Sequence, residues 1–269
     1  MDRLTSPLLL LFASLGASAA ETINRHDWQQ HFDEKGVKGT FVLFEPAKDR
    51  YSVLDEQRAK QRFLPASTFK IPNALIGLEV GSISSEMEVF HWDGKPKKVP
   101  DWEHDQTLDS GMRTSCVWMF QEVARRTGRA RMKEWVDRLE YGNRNIAGGI
   151  DLFWLQGSLR ISAVEQIQFL HKLAEGRLPA THRAQRLVRN AIMNEKTRDY
   201  TLYAKTGTLE TGPNAITWWV GWVEKKGRPV AFFAMNLDPA ARTVFADRFT
   251  ITRRILHEAG VLPSSQPPA

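Results

Sequence analysis

One cysteine, Cys116, stands in a chain of 269 residues. A single thiol closes no intramolecular disulfide, and Cys-rich zinc modules are excluded with it. The size needs no such staple, since a chain this long buries roughly 70–75% of its unfolded surface. Apolar runs are scarce too. After the N-terminus none approaches the roughly 18 residues of a membrane span, so no membrane association is expected of the mature chain. Blocks of like charge are missing, as are internal repeats, low-complexity segments and glycine-rich phosphate loops. The seven histidines form neither His-x-His nor His-Glu-x-x-His, so no metal is assigned. What remains is 42% hydrophobic and 25% charged, which excludes a disordered or collagen-like chain. The net charge of +6 reads as an ordinary basic surface. Trp218, Trp219 and Trp222 alternate as core residues of a strand, and no nucleic-acid partner is expected.

Residues 1–20 read as an export signal. Arg3 gives a positive start, Pro7 to Gly16 is apolar and too short to span a bilayer, and Ala17 to Ala20 are small. Cleavage after Ala19 or Ala20 removes Asp2 and Arg3 together, so the net charge stays +6. In a bacterium the mature chain, residues 21–269, is expected in the periplasm. Cys116 then needs burial to survive an oxidising space.

Strand patterns occupy both ends of the mature chain and helical patterns the middle. Gly39–Phe44 and Tyr51–Leu54 read as strands around a turn. Pro65–Val80 reads as a helix with Ile71, Ala74, Leu75 and Leu78 on one face and Gly81 as the stop. Helical patterns recur at Val117–Thr127, Arg131–Leu139, Ala163–Ala174 and His182–Met193. Strands return at Thr201–Lys205, Thr217–Val223 and Val230–Leu237, before a closing helix over 245–259. Short late connections suggest hairpins and an antiparallel sheet. The expected fold is α+β, a single domain in two lobes. The sheet lobe takes about residues 21–64 and 195–269, and an inserted helical lobe takes about 65–194. The cleft between them is the natural ligand site.

Two motifs carry chemistry. Ser67-Thr68-Phe69-Lys70 puts a hydroxyl and an amine one turn apart on one helix face. A serine hydroxyl is a weak nucleophile that needs an adjacent base. A lysine serves as that base only when its pKa falls, and burial lowers it. Alone this motif is weak, expected about once by chance in such a chain. Lys205-Thr206-Gly207 falls at the end of a predicted strand, where glycine permits close backbone approach. Chance supplies that tripeptide in about one chain in fifteen. Ser-x-x-Lys on a helix followed far downstream by Lys-Thr-Gly on a strand is the signature of serine β-lactamases and penicillin-binding proteins.

Further motifs narrow this. Ser115-Cys116-Val117, Tyr141-Gly142-Asn143, Phe153-Trp154-Leu155 and Trp218-Trp219-Val220-Gly221-Trp222 stand in order around the first two. With them the whole mature chain closely resembles the class D β-lactamases, the oxacillinases. That resemblance implies a β-lactamase/penicillin-binding-protein-like fold and hydrolysis of β-lactam amides. It implies Ser67 as the acylated nucleophile and Lys70 as general base, modified by CO₂ to N6-carboxylysine, with no other cofactor. Trp154 would donate its indole N–H to the carbamate, and Phe69, Val117 and Leu155 would keep the pocket dry. Ser115 would shuttle a proton to the leaving nitrogen, aided by Lys205. The backbone N–H groups of Ser67 and Thr208 would form the oxyanion hole. Thr206, Gly207 and Arg248 would bind substrate, Arg248 through its carboxylate. Thr208 departs from the aromatic frequent at its position, which keeps the backbone donor and alters the side-chain wall. Tyr141 and Asn143 read as a structural loop.

Two other functions share these motifs. A D-Ala-D-Ala transpeptidase or carboxypeptidase would carry Ser-x-Asn where Ser115-Cys116-Val117 stands. A non-turnover β-lactam sensor would need transmembrane segments. The sequence leaves the substrate spectrum open, and with it the choice of monomer or homodimer.

Overall fold

The computed structural model describes residues 20–210, 212–238 and 244–263. The expected export segment therefore lies, apart from Ala20, outside the described residues. So does most of the Pro263–Ala269 tail.

In chain order the strands are β1 (Glu21–Asn24), β2 (Gly39–Glu45), β3 (Arg50–Leu54), β4 (Met193–Lys196), β5 (Thr201–Leu209), β6 (Ile216–Lys225) and β7 (Arg228–Leu237). The helices are α1 (Gln29–Asp33), α2 (Glu56–Lys60), α3 (Lys70–Glu79), α4 (Leu108–Arg113), α5 (Val117–Thr127), α6 (Arg129–Arg138), α7 (Ala163–Ala174), α8 (His182–Ala191) and α9 (Val244–Glu258). The strands form one sheet in the order β1-β3-β2-β7-β6-β5-β4. Both chain ends thus build the sheet, the segment between β3 and β4 supplies the helices of one face, and α1 and α9 cover the other.

The sheet is buried on both faces, and β6 shows why. Trp218, Val220 and Trp222 face a core shared with α3, α5 and α7, while Trp219 and Val223 face Ile251 and Ile255 of α9. Each fully buried aliphatic or Phe side chain contributes roughly 1.5–3 kcal/mol, so the alternating faces of β6 and β7 tie the two layers of helices to one sheet. The three tryptophans are core, as their alternation suggested. Helix α7 begins where the sequence places it because Ser162 and Glu165 cap each other. Ser162 Oγ accepts from the Glu165 N–H at 3.2 Å, and Glu165 Oε2 accepts from the Ser162 N–H at 2.9 Å. Among the described residues no helix is long and apolar enough to cross a membrane.

The structure corrects several expectations. The sheet is mixed, because β1 pairs in parallel with β3. β1 lies at the sheet's edge, mostly exposed, so its sequence carries no alternation to read. Lys205-Thr206-Gly207 sits inside β5 rather than at its end, since that strand runs on to Leu209. The expected helix over Pro65–Val80 opens as a 3₁₀ turn, Ala66–Phe69, and becomes α-helical only at Lys70. Met193 begins β4 instead of closing a helix. The short α1, α2, α4 and β4 escaped the sequence reading because four to six residues hold too little periodicity.

Candidate active site

Ser67 sits on the 3₁₀ turn at the base of a cleft of about 690 Å³. Its neighbour Ala66 has φ +49°, a left-handed conformation that costs an L-residue on the order of 1–3 kcal/mol. The turn is pinned from both sides. The Ala66 N–H donates to Trp154 O at 3.1 Å. Thr68 Oγ1 donates to Pro65 O at 2.7 Å and accepts from Gln166 Nε2 at 2.8 Å. Gly207 brings β5 against this turn. A Cβ there would stand 2.8 Å from Pro65 O and 3.1 Å from Thr68 N, so any side chain would push the strand away. The nucleophile candidate and Thr208 are held on touching elements for this reason.

Lys70 Nζ donates to Ser67 Oγ at 2.7 Å. The lysine is 1% exposed. Its ammonium lies 5.6 Å from the Phe120 ring centroid. Burial lowers its pKa from 10.5 to about 7, because the charged form is desolvated. Phe69 and Trp154 are fully buried behind the turn, stacked with ring centroids 5.4 Å apart. They do not line the cleft. Trp154 Nε1 is buried and has no acceptor among the described residues. An unpaired buried donor costs on the order of 1–3 kcal/mol, and the Nε1 groups of Trp28 and Trp219 stand in the same state.

A second serine–lysine pair faces the first. Lys205 Nζ donates to Ser115 Oγ at 3.0 Å and to Thr206 O at 3.1 Å. Ser115 has φ +57°, the second strained residue of the cleft. It precedes α5 by one residue beyond the N-cap position, which Cys116 holds. Cys116 is fully buried. Lys205 is also buried, and its pKa falls well below 10.5, first through desolvation, then through the charges of Lys70 and Arg248. Val117 and Leu155 line the cleft with Thr206, Gly207 and Thr208.

Arg248 enters from α9. One of its terminal nitrogens donates to Thr208 Oγ1 at 2.9 Å and to Thr217 Oγ1 at 2.8 Å. Burial lowers its pKa from 12.5 to about 10. Its Nε has no acceptor among the described residues. The departure at Thr208 thus acquires a geometry: its hydroxyl holds the guanidinium. Asn143 is structural, donating to Ser158 O at 2.8 Å and accepting from the Arg160 N–H at 2.9 Å. Sequence reasoning missed Thr68, Phe120, Gln166 and Thr217. Thr68 was legible inside the first motif. Phe120 and Gln166 read only as ordinary helical positions, and Thr217 as an ordinary strand position.

A buried Ser-x-x-Lys turn, a Lys-Thr-Gly strand beside it and a mixed sheet flanked by helices define the penicillin-recognising serine enzymes. The model of the penicillin-binding protein transpeptidase domain matches residues 26–257. Among relatives, β-lactamase OXA-5 of Pseudomonas aeruginosa is 40% identical over 97% of this chain and 99% of its own length. β-Lactamase OXA-48 of Klebsiella pneumoniae is 41% identical over 96% of this chain and 98% of its own. The solved class D β-lactamase YbXI from Nostoc superposes with a TM-score of 0.84 at 36% identity, covering 87% of this chain and 99% of that one. The chain belongs to the class D β-lactamases, a family of serine hydrolases.

Proposed function

We propose that this chain hydrolyses the cyclic amide of β-lactam antibiotics through an acyl-enzyme on Ser67, with modified Lys70 as general base. The observation that carries this reading is the buried Lys70 amine, 2.7 Å from Ser67 Oγ and with a pKa near 7. A neutral amine is the form that adds CO₂. The surroundings fit the resulting carbamate: no carboxylate competes for Lys70 among the residues that bond it, and the Trp154 N–H awaits an acceptor. Carboxylated at Nζ, Lys70 offers an oxygen base where an ammonium would otherwise stand.

The residues then divide the work. Ser67 gives up its proton at Oγ and attacks the lactam carbonyl. The N–H groups of Ser67 and Thr208 receive the developing oxyanion, each such donor contributing on the order of 3–4 kcal/mol. Ser115 passes a proton to the leaving nitrogen as the C–N bond breaks, and Lys205 replaces it. Arg248, Thr206 and Gly207 hold the substrate, the guanidinium taking its carboxylate. Val117 and Leu155 limit water to what deacylation needs. Water finally attacks the ester and frees Ser67. Penicillins are the substrate class that this site suits, and the consequence for a host is antibiotic resistance. Residues 1–20 direct the chain to the periplasm and are removed; N-terminal sequencing of the exported protein checks the cut after Ala19 or Ala20.

The test is hydrolysis of a chromogenic cephalosporin by degassed protein across pH, with and without bicarbonate. Activity should fall as the pH drops through about 7, because the carbamate takes up a proton and releases CO₂ and the freed amine is then held as an ammonium, and bicarbonate should restore it. Indifference to bicarbonate at mildly acid pH would leave Lys70 acting as an unmodified amine. One product per Ser67, instead of many, would make the protein a sensor.

A further inference from the structure

The cleft has two ends. Towards α9, Lys205, Thr206 and Arg248 line a second hollow of about 410 Å³, and Thr206 borders the main cleft as well. Away from it, the main cleft opens between the loop before Trp102 and the end of β5. Lys98 and Glu210 meet across that opening, Nζ to Oε at 3.0 Å. They are the charged residues among those lining the main cleft; the others are polar or apolar. Both are solvated, with side chains 74% and 53% exposed. Such a pair adds little to stability. Its backbone is nevertheless fixed. Lys97 N donates to Glu103 Oε1 at 2.9 Å, Trp102 Nε1 to Thr114 O at 3.0 Å, and Trp118 Nε1 to Trp102 O at 2.9 Å. These bonds anchor the Lys98 loop to the segment that carries Ser115. Glu210 directly follows β5.

A substrate whose carbonyl lies at Ser67 and whose carboxylate points to Arg248 must send its acyl substituent the other way, towards this pair. We propose that Lys98 and Glu210 form a charge gate that selects substrates by the charge on the acyl substituent. The inference rests on the reading of Ser67 as the acylated residue. While paired, the two charges largely cancel, and neutral substituents pass. A substituent bearing an ammonium competes with Lys98 for Glu210. One bearing a carboxylate competes with Glu210 for Lys98. Either exchange trades one solvated ion pair for another that includes the substrate.

The experiment uses three penicillins that differ only at the side-chain α-carbon: unsubstituted, α-amino and α-carboxy. Lys98→Met should raise the α-amino to α-carboxy ratio of kcat/KM about threefold, and Glu210→Gln should lower it by a similar factor, the scale of exposed ion pairs. The double variant should return near the parent ratio. High salt should compress all of these differences. The unsubstituted penicillin serves as the common reference. Ratios that stay put in both variants, or that move the same way in both, would overturn the gate; the second result would make the pair a packing element of the loop. The ratios are read twice, as hydrolysis and as competition with a fluorescent penicillin for Ser67. A parent that is acylated without turnover therefore still tests the gate, while contradicting the proposed hydrolysis. A parent that no penicillin acylates defeats both.

Discussion

Lys70 reaches Ser67 across one turn of chain, while Lys205 reaches Ser115 across ninety residues. The two contacts are nearly equal in length, and both lysines are buried. Their surroundings differ. Lys70 has a hydroxyl and an aromatic ring for company. Lys205 has a hydroxyl, a carbonyl and a second hydroxyl at 3.4 Å, so its three donors are all engaged. Burial disfavours both charges, and it pushes the Lys205 pKa well below its usual value despite those acceptors. The two sites are also linked. Lys205 is depressed partly by the charge of Lys70, so a Lys70 that is neutral, or made negative by modification, makes the Lys205 ammonium easier to keep. The same pair of residue types thus stands in two different surroundings, and on that difference the proposed roles of base and proton source divide.

Removing the first corner should have the larger effect. Ser67→Ala should lower turnover of a chromogenic cephalosporin by about a thousandfold or more, with an unchanged melting curve, since it removes the bond-making atom. A variant that keeps a tenth of parental activity would misplace the nucleophile. Lys70→Met should be comparably inactive and deaf to bicarbonate. In degassed protein it should also be more stable than the parent at acid and neutral pH. The folded pKa lies below the unfolded value of 10.5, so the unfolded chain binds the extra proton between about 7 and 10.5, and parental stability climbs with pH across that window. The advantage of Lys70→Met, on the order of a few kcal/mol below pH 7, should therefore fade by the alkaline end. Urea midpoints at several pH values measure it, and an advantage that grows with pH would reverse the argument.

The second corner should be more forgiving. Ser115→Ala should slow acylation about a hundredfold, the scale of a lost proton relay, and leave deacylation of preformed acyl-enzyme less affected. Equal loss in both steps, read by stopped flow, would erase the distinction between the corners. Trp154→Phe keeps an aromatic ring and removes the indole N–H together with its five-membered ring. It should slow deacylation about tenfold, the scale of one hydrogen bond to a charged acceptor, and mass spectrometry should then show acyl-enzyme on Ser67. Free enzyme throughout turnover would remove Trp154 from the base's support.

The difference between the corners also sets what the sequence could disclose. Ser67 and Lys70 lie three residues apart, on a 3₁₀ turn that runs directly into α3, so their meeting followed from local spacing. Helix α7 and strand β6 were legible for a similar reason, since the period of a helix or a strand is a local signal. Ser115 and Lys205 meet through tertiary packing, and only the ordered motifs of a family resemblance joined them. Spacing gave no hint that Arg248 would rest on Thr208 and Thr217, because three separate elements converge there. The parallel edge strand β1 and the 3₁₀ opening of the nucleophile turn were lost for the opposite cause, being too short to leave a pattern.

Cys116 lies between Ser115 and the first residue of α5, sealed from solvent. Burial also pushes its thiol pKa up, so the sealed residue stays a thiol. A thiol reagent can meet it only when the wall of the cleft opens. The rate of its modification is then a native timer for that opening, with no label attached. Addition of a substrate that acylates the enzyme should slow the timer in proportion to how firmly the acyl group clamps the wall. Drug occupancy would thus be legible in the kinetics of a residue that takes no part in the chemistry.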